Sequence, residues 1–344
     1  MRTSDIDWRE ARTLVTGGAS FIGSHLVQSL LERGARVRVV DNLSSGRLAN
    51  IQRHIDAGDV EFVQADLTDA RSAEAATAGI DVVFHLAADH GGRGYVDRHQ
   101  FDCARNLLLD AVVFQACYAA RVEKVVFASS ACVYPNYLQG DPGHALYLTE
   151  DMVGPPYDAD NMYGWAKLMG EMTLRAYATE KGMKAVSCRY FTVYGQRGHE
   201  HHAVTAMIAR AFVRQQPYYV WGTGEQIRNW THVSDIVDGT IRCAESIDDG
   251  TAVNLGTMER TRVIDAAHEV LRYTGHRADV VPLPEMPTGP LNRVADNALA
   301  RSRCGWEPRT SFVEGLHDTI DWYFSAKSRD AVAADLERRL FERL

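Results

Sequence analysis

Thr16-Gly17-Gly18-Ala19-Ser20-Phe21-Ile22-Gly23 follows a β-branched run at 12–16 and opens a helical pattern over 24–32. A strand that feeds a tight glycine turn and then a helix brings bare backbone N–H groups and the positive helix end to one point, where a pyrophosphate can sit. Asp41 stands eighteen residues past Gly23, at the end of a second run at 36–40. A carboxylate there accepts hydrogen bonds from both hydroxyls of an adenosine ribose and repels a 2′-phosphate. Gly17, Ser20, Phe21, Ile22, Gly23 and Asp41 are therefore the first cofactor-binding candidates, and the cofactor expected is NAD rather than NADP.

Further runs at 60–64, 81–85 and 124–129 alternate with helical or turn segments. Such alternation predicts an α/β fold, a Rossmann-type doubly wound parallel sheet. Past about residue 188 prolines and glycines cluster (Pro282, Pro284, Pro287, Gly289, Pro290) and helical patterns stand singly at 263–273 and 313–324. The organisation expected is an NAD-binding domain over 1–188, to which segments near 229–257 return, and a smaller C-terminal α/β substrate lobe over 189–324. A charged amphipathic tail helix, read as solvated, follows at 325–344. The segment 102–120 is apolar nearly all round, which predicts a helix buried against the sheet and against a second subunit, hence a homodimer.

Composition narrows the function. Of 344 residues 46% are hydrophobic and 24% charged, enough for a sizeable core, and no apolar run has the length of a membrane span. The polar start, 1–12, lacks the apolar centre of a secretory signal, so a cytoplasmic protein is expected. A net charge of −8 argues against a nucleic-acid partner, and any anionic ligand must be met by local arginines. Cys103, Cys117, Cys132, Cys188, Cys243 and Cys304 have no C-x-x-C spacing and read mostly as buried thiols.

Tyr163-Gly164-Trp165-Ala166-Lys167 places a phenol and an ammonium at i and i+4, on one helix face, and Ser129-Ser130-Ala131-Cys132-Val133-Tyr134 follows a hydrophobic run about thirty residues earlier. Together with the glycine turn, these motifs make the chain resemble the extended short-chain dehydrogenases, over about 12–324. Ser20 departs from that pattern, standing where the family has its middle glycine; a small hydroxyl there is expected to cap the helix. The resemblance implies that Tyr163 is the catalytic base, with a pKa lowered by Lys167 and a positively charged nicotinamide, and that Ser130 orients the reacting hydroxyl. It also adds Asn42, Asp66, Leu67, Leu86, Ala87, Ala88 and Asn106 to the cofactor side.

Within that family the chain is closest in motifs to the nucleotide-sugar branch, whose members oxidise C4 of a sugar. Arg228-Asn229-Trp230-Thr231-His232-Val233 and Arg293-Val294-Ala295-Asp296 resemble its two diphosphate-binding arginine segments, the second with a partner carboxylate; Thr192 replaces the usual asparagine of a substrate contact. Ala131-Cys132 stands where a 4,6-dehydratase has Asp-Glu, so elimination lacks its acid. Cys132 and the stretch Ala87-Ala88-Asp89-His90-Gly91-Gly92 are instead similar to the GDP-mannose 3,5-epimerases, which places His90, Gly91 and Gly92 on the substrate side. In those enzymes a cysteine and a lysine exchange the C3 and C5 protons, and His202 takes the lysine's position. An imidazole of pKa near 6.5 suits that work at neutral pH. The expected function is an NAD-dependent nucleotide-sugar epimerase exchanging protons at C3 and C5, or at C5 only, on a GDP-mannose-like substrate. Open alternatives are a UDP-sugar 4-epimerase with Cys132 as a packing residue, a dehydratase or decarboxylase, and a non-catalytic NAD sensor. His199-Glu200-His201-His202 lacks the H-E-x-x-H spacing, and no metal is expected.

Overall fold

The computed structural model describes residues 6–342; the first five residues of the polar start lie outside it. β1 (Arg12–Thr16), α1 (Phe21–Glu32), β2 (Arg36–Asp41), α2 (Gln52–Asp56), β3 (Val60–Gln64), α3 (Ala70–Thr77) and β4 (Val82–His85) alternate, as parallel crossovers require. Then come α4 (Arg93–Arg98), α5 (Gln100–Ala104), α6 (Asn106–Ala119), β5 (Lys124–Ser130), α7 (Asn161–Lys181) and β6 (Lys184–Tyr190). The remaining chain forms β7 (Val193–Tyr194), α8 (Ala203–Phe212), β8 (Tyr218–Trp221), β9 (Ile227–Arg228), β10 (Thr231–His232), α9 (Val233–Ser246) and β11 (Asp249–Leu255). It ends with β12 (Thr261–Arg262), α10 (Val263–Thr274), β13 (Val280–Leu283), β14 (Asn292–Arg293), α11 (Ala298–Cys304), α12 (Phe312–Ala326) and α13 (Arg329–Phe341).

Seven strands form one parallel sheet in the order β3-β2-β1-β4-β5-β6-β11. The strand order reverses between β1 and β4, the place where ligands bind in such sheets. One face is covered by α1, α9 and α11 through Leu26, Val27, Leu30, Ile236, Ile241 and Ala300, with Trp306 just past α11; the other is covered by α3, α6 and α7 through Ala73, Val113, Phe114 and Leu174, beside Phe127 of β5. The chain past residue 189 is thus divided: α9, β11 and α11 complete the nucleotide half. The lobe core gathers Met207, Phe212, Tyr218, Val270, Leu316 and Tyr323.

Three local expectations are corrected. The first helix begins at Phe21, not at residue 24, and Ser20 sits at its N-cap without a capping hydrogen bond. Its hydroxyl turns back to the Gly17 carbonyl, 2.6 Å away, so it does not cap the first-turn N–H groups of α1. The segment 102–120 is interrupted at Arg105, and within one chain its outer side is open: Phe101, Leu107, Leu108 and Tyr118 are exposed while Leu109, Val113 and Phe114 are buried. The tail helix is not solvated. Val332, Leu336 and Leu340 of α13 recur at four-residue spacing and bury that stripe in the lobe core, which explains its placement despite seven charged residues between 329 and 342.

Candidate active site

The cleft lies over the carboxyl ends of β1, β4 and β5. A Cβ at Gly17, whose φ is +70°, would stand 2.9 Å from the Ala87 amide nitrogen, and one at Gly23 would stand 2.2 Å from the Gly17 carbonyl oxygen. Only bare backbone lets the turn close this tightly onto β4 and α1. Gly23 is accordingly part of the turn's interior, while Gly17, Ser20, Asp41, Asn42, Asp66, Leu67, Leu86, Ala87, Ala88 and Asn106 line the outer part of the cleft. The Asp41 carboxylate accepts from the Ala19 N–H (3.0 Å) and the Leu43 N–H (2.8 Å), so it braces the glycine turn as well as facing the cleft; burial raises its pKa against those two bonds. Asn106 is a bracket: its side-chain amide receives the Asp89 N–H and donates to the Asp89 carbonyl.

Phe21, Ile22, Leu86, Ala88, His90, Ser130, Tyr163 and Lys167 line the adjoining inner pocket, about 350 Å³. A Cβ at Gly164 would stand 2.3 Å from the Cys132 carbonyl oxygen, and the Asp160 N–H donates to that same oxygen at 2.8 Å. The Tyr-Gly step thereby presses the first turn of α7 against the Ser130–Cys132 turn, and Ser130 hydrogen-bonds the Tyr163 phenol. Lys167 is buried, its ammonium 5.9 Å from the Tyr163 ring centre and 4.5 Å from that of Phe127, and its nitrogen has no hydrogen-bond partner among the described residues. A buried ammonium without an acceptor requires one from outside, and the ribose hydroxyls of NAD supply that chemistry. The bare glycine turn and the orphaned ammonium both fit NAD.

The ionisation of the phenol differs from expectation. Burial, with Cys132 next, pushes Tyr163 above the ordinary phenol range, and only the Ser130 bond pulls it back. Burial likewise lowers Lys167, against the pull of Asp110 and Glu171. Any lowering of the phenol thus has to come with the positive nicotinamide. His202 is corrected in the same way: burial brings it down to about 4, so at neutral pH it is an uncharged imidazole, suited to accept a proton.

His202 lies in the pocket with its ring 6.0 Å from that of His90, which in turn lies 6.1 Å from the Tyr163 ring. Cys132, Gly91, Gly92 and Thr192 line the same pocket. Among the described residues no group of His, Cys, Asp and Glu is arranged to hold a metal ion.

Arg228 and Arg293 both reach the pocket, but in different states. Arg293 does not pair with Asp296, which accepts the Ala298 N–H at the start of α11. It spends its nitrogens on Gln139 (2.7 Å), Asp160 (3.1 Å) and the Cys132 sulfur (3.3 Å). Arg228 donates only to the carbonyls of Ile227 (2.7 Å) and Thr288 (2.8 Å). Burial, then Arg293 and Arg93, pull it down to about 9, so it remains charged at neutral pH; among the described residues it forms no ion pair, and Asp160 attracts it only from further off. Arg93, 2.8 Å from Asp160, and Arg210, whose buried Nε has no partner among the described residues, complete a set of four pocket arginines. The sequence reading missed these two and Asp160. Arg93 directly follows the Gly91-Gly92 turn already placed on the substrate side; Arg210 carried no sequence signal, being one arginine inside an apolar helix.

Residues 13–256 match the NAD dependent epimerase/dehydratase family, and the chain belongs to it. It is 32% identical over 91% of its length to a UDP-glucose 4-epimerase of Mycolicibacterium smegmatis, 98% of which is covered. It is 28% identical over 90% of its length to GDP-mannose 3,5-epimerase 1 of Oryza sativa subsp. japonica, 81% of which is covered. Among solved structures, the UDP-glucose 4-epimerase of Thermotoga maritima with UDP-glucose superposes with a TM-score of 0.81 at 29% identity, covering 91% of this chain and 99% of that one. The chain is thus an NAD-dependent member of an enzyme family acting on nucleotide sugars.

Proposed function

We propose that this family member is a nucleotide-sugar epimerase that oxidises C4 transiently, exchanges protons beside the resulting ketone, and reduces it again, with a GDP-mannose-like substrate. The observation that carries the reading is the shared pocket: Cys132 and His202, two side chains able to move protons, line the same walls as Ser130, Tyr163 and Lys167. Tyr163 takes the proton of the C4 hydroxyl, Ser130 orients that hydroxyl, and Lys167 holds the ribose and supplies positive charge. NAD, when bound, accepts the hydride from C4 and returns it. The 4-ketone acidifies the hydrogens on C3 and C5, and uncharged His202 accepts one of them while the Cys132 thiol delivers a proton on the opposite face. Arg228, with Arg93 and Arg210, meets the diphosphate side of the ligand, while Arg293 holds Cys132 in place. Exposed Phe101, Leu107 and Leu108, with Trp165 and Met169 of α7, are assigned to a homodimer contact.

One observation favours a second reading, inversion at C4 itself. Arg293 sits on the Cys132 sulfur, as it would on a packing residue, and the 32% identical relative is a 4-epimerase. Turnover in heavy water separates the two. Exchange beside the ketone places deuterium at C5, C3 or both, and Cys132→Ala retains C4 oxidation but loses exchange. A product inverted at C4 without deuterium, unaffected by Cys132→Ala, would overturn the proposal. Tyr163→Phe should abolish both reactions with the fold intact.

A further inference from the structure

His199-Glu200-His201-His202 places one carboxylate inside a row of imidazoles, and its surroundings are unusual for a buried acid. Glu200 is 2% exposed and receives the Tyr323 hydroxyl at 3.0 Å, with Lys327 Nζ at 3.4 Å and Arg339 Nη1 at 3.7 Å. Tyr323 lies on α12, Lys327 just past it, and Arg339 on α13, so three groups from the C-terminal end of the chain converge on one oxygen pair.

α13 continues from Arg339 into the pocket, where Leu340 is part of the wall. Phe341 then packs on Trp221, 4.9 Å between ring centres, and under the Arg98 guanidinium at 3.9 Å. On its other side the histidine segment is held by the 90–92 turn: a Cβ at Gly92 would fall 1.6 Å from the His201 carbonyl oxygen, so only glycine permits the contact. The rings pack among themselves, His199 on His201 at 5.1 Å and His201 on His202 at 4.6 Å, and the His202 N–H donates to the His199 carbonyl at 3.0 Å. His202 therefore has little freedom of its own; its place is that of the segment, fixed by Gly92 on one side and Glu200 on the other.

We propose that Glu200 is a positioning residue through which the C-terminal helix holds His202 against the sugar; this rests on the assignment of His202 as a proton-transfer group. A buried carboxylate with three partners contributes little net stability over an apolar residue of the same size, so packing alone does not account for it. Its effect on the neighbouring imidazole does: its negative charge opposes the burial that depresses His202. Glu200 stays ionised, since Lys327, the Tyr323 bond and Arg339 outweigh burial and hold it below the usual carboxylate range. The charged and titratable groups around it are Tyr323 and Lys327 from the end of α12, Arg339 from α13, Arg47 from the loop after β2, His90 from the substrate-side turn, and His199, His201 and His202 from its own segment.

The test uses the full chain with NAD, carrying Glu200→Gln, Glu200→Asp or Tyr323→Phe, and GDP-mannose in heavy water as the probe. Glu200→Gln should leave C4 oxidation and KM within about threefold of wild type while deuterium incorporation falls about tenfold to a hundredfold. Glu200→Asp should recover part of the exchange, and Tyr323→Phe, which keeps the ring and the charge, should give a smaller loss. Independently of turnover, the His202 imidazole, followed by NMR in histidine-labelled protein and identified with His202→Gln, should titrate at lower pH in Glu200→Gln. Should that variant fail to fold, Tyr323→Phe decides by the same two readouts. Exchange and His202 titration both equal to wild type would overturn the proposal. Absence of exchange in the wild-type protein would instead remove the reading of proton exchange beside the ketone, and the titration alone would then decide the role of Glu200.

Discussion

Replacing Arg228 by methionine should leave the ligand-free protein nearly as stable as before and weaken its grip on a diphosphate severely. Arg228 is the pocket arginine bonded only to carbonyls, those of Ile227 and Thr288, and it faces Arg93 and Arg293, which share Asp160. Without ligand, the substitution loses two bonds of about 0.5–1.5 kcal/mol each but also removes the desolvation cost of a buried charge that has no ion-pair partner among the described residues, which acts in the opposite direction. The two nearly cancel, so the melting temperature should move by no more than about 2 °C. With ligand, nothing offsets the loss. A charge-assisted contact contributes about 1.5–3 kcal/mol, and 1.4 kcal/mol is tenfold in affinity, so the dissociation constant of GDP or UDP should rise about 10- to 150-fold. Calorimetric titration with each diphosphate and its monophosphate gives the comparison, and the variant should also show weaker dependence on salt. A diphosphate affinity within about threefold of wild type, or an equal loss for the monophosphate, would refute the placement of the diphosphate at this arginine.

Asp41→Ala should weaken NAD binding and reduce discrimination against NADP in a titration with both cofactors. It should also destabilise the protein by about 1–3 kcal/mol, because the Ala19 and Leu43 N–H groups lose their acceptor. Acid should destabilise the fold through its buried imidazoles: burial holds His25 and His202 at about 4 and His199 at about 2, below the ordinary 6.5. Between those values the unfolded chain binds more protons, so stability is full above pH 6.5 and is lost as the pH falls toward 4; melting curves from pH 7.5 to 4.5 should show the decline, with a shallower slope in His199→Phe. If the proposed homodimer forms through the exposed side of α6, Leu108→Glu should lower the mass seen by light scattering from dimer to monomer at unchanged melting behaviour; a dimeric mass retained in the variant would remove that face from the proposed contact.

The sheet was legible because its signals are local. Val37, Val39 and Val40 sit in one β-branched run, the glycine turn lies beside β1, and Tyr163 and Lys167 share a helix face; each pattern fits within a dozen residues. Ser20 resisted for a reason of the same scale, since its hydroxyl had two acceptable uses at the start of α1 and took the Gly17 carbonyl rather than the helix amides. The tail misled through composition. Charges dominate 329–342, yet Val332, Leu336 and Leu340 are enough to dock a helix, and a count of charges does not weigh where the three apolar residues fall.

The arginines show where local reading ends. Arg228 and Arg293 carry recognisable surroundings, but their partners come from elsewhere: Asp160 precedes α7, Gln139 follows the Ser130 turn, and Thr288 lies in the loop before β14. Asp160 could serve Arg93 or Arg293, or leave both free, and only the approach of α4 and β14 to one end of α7 fixes that it serves both. That sharing is what leaves Arg228 without a carboxylate. An acidic chain with a net charge of −8 thus keeps Arg228 in its pocket without an ion-pair partner among the described residues, not by an excess of basic residues but by letting Asp160 serve two neighbours.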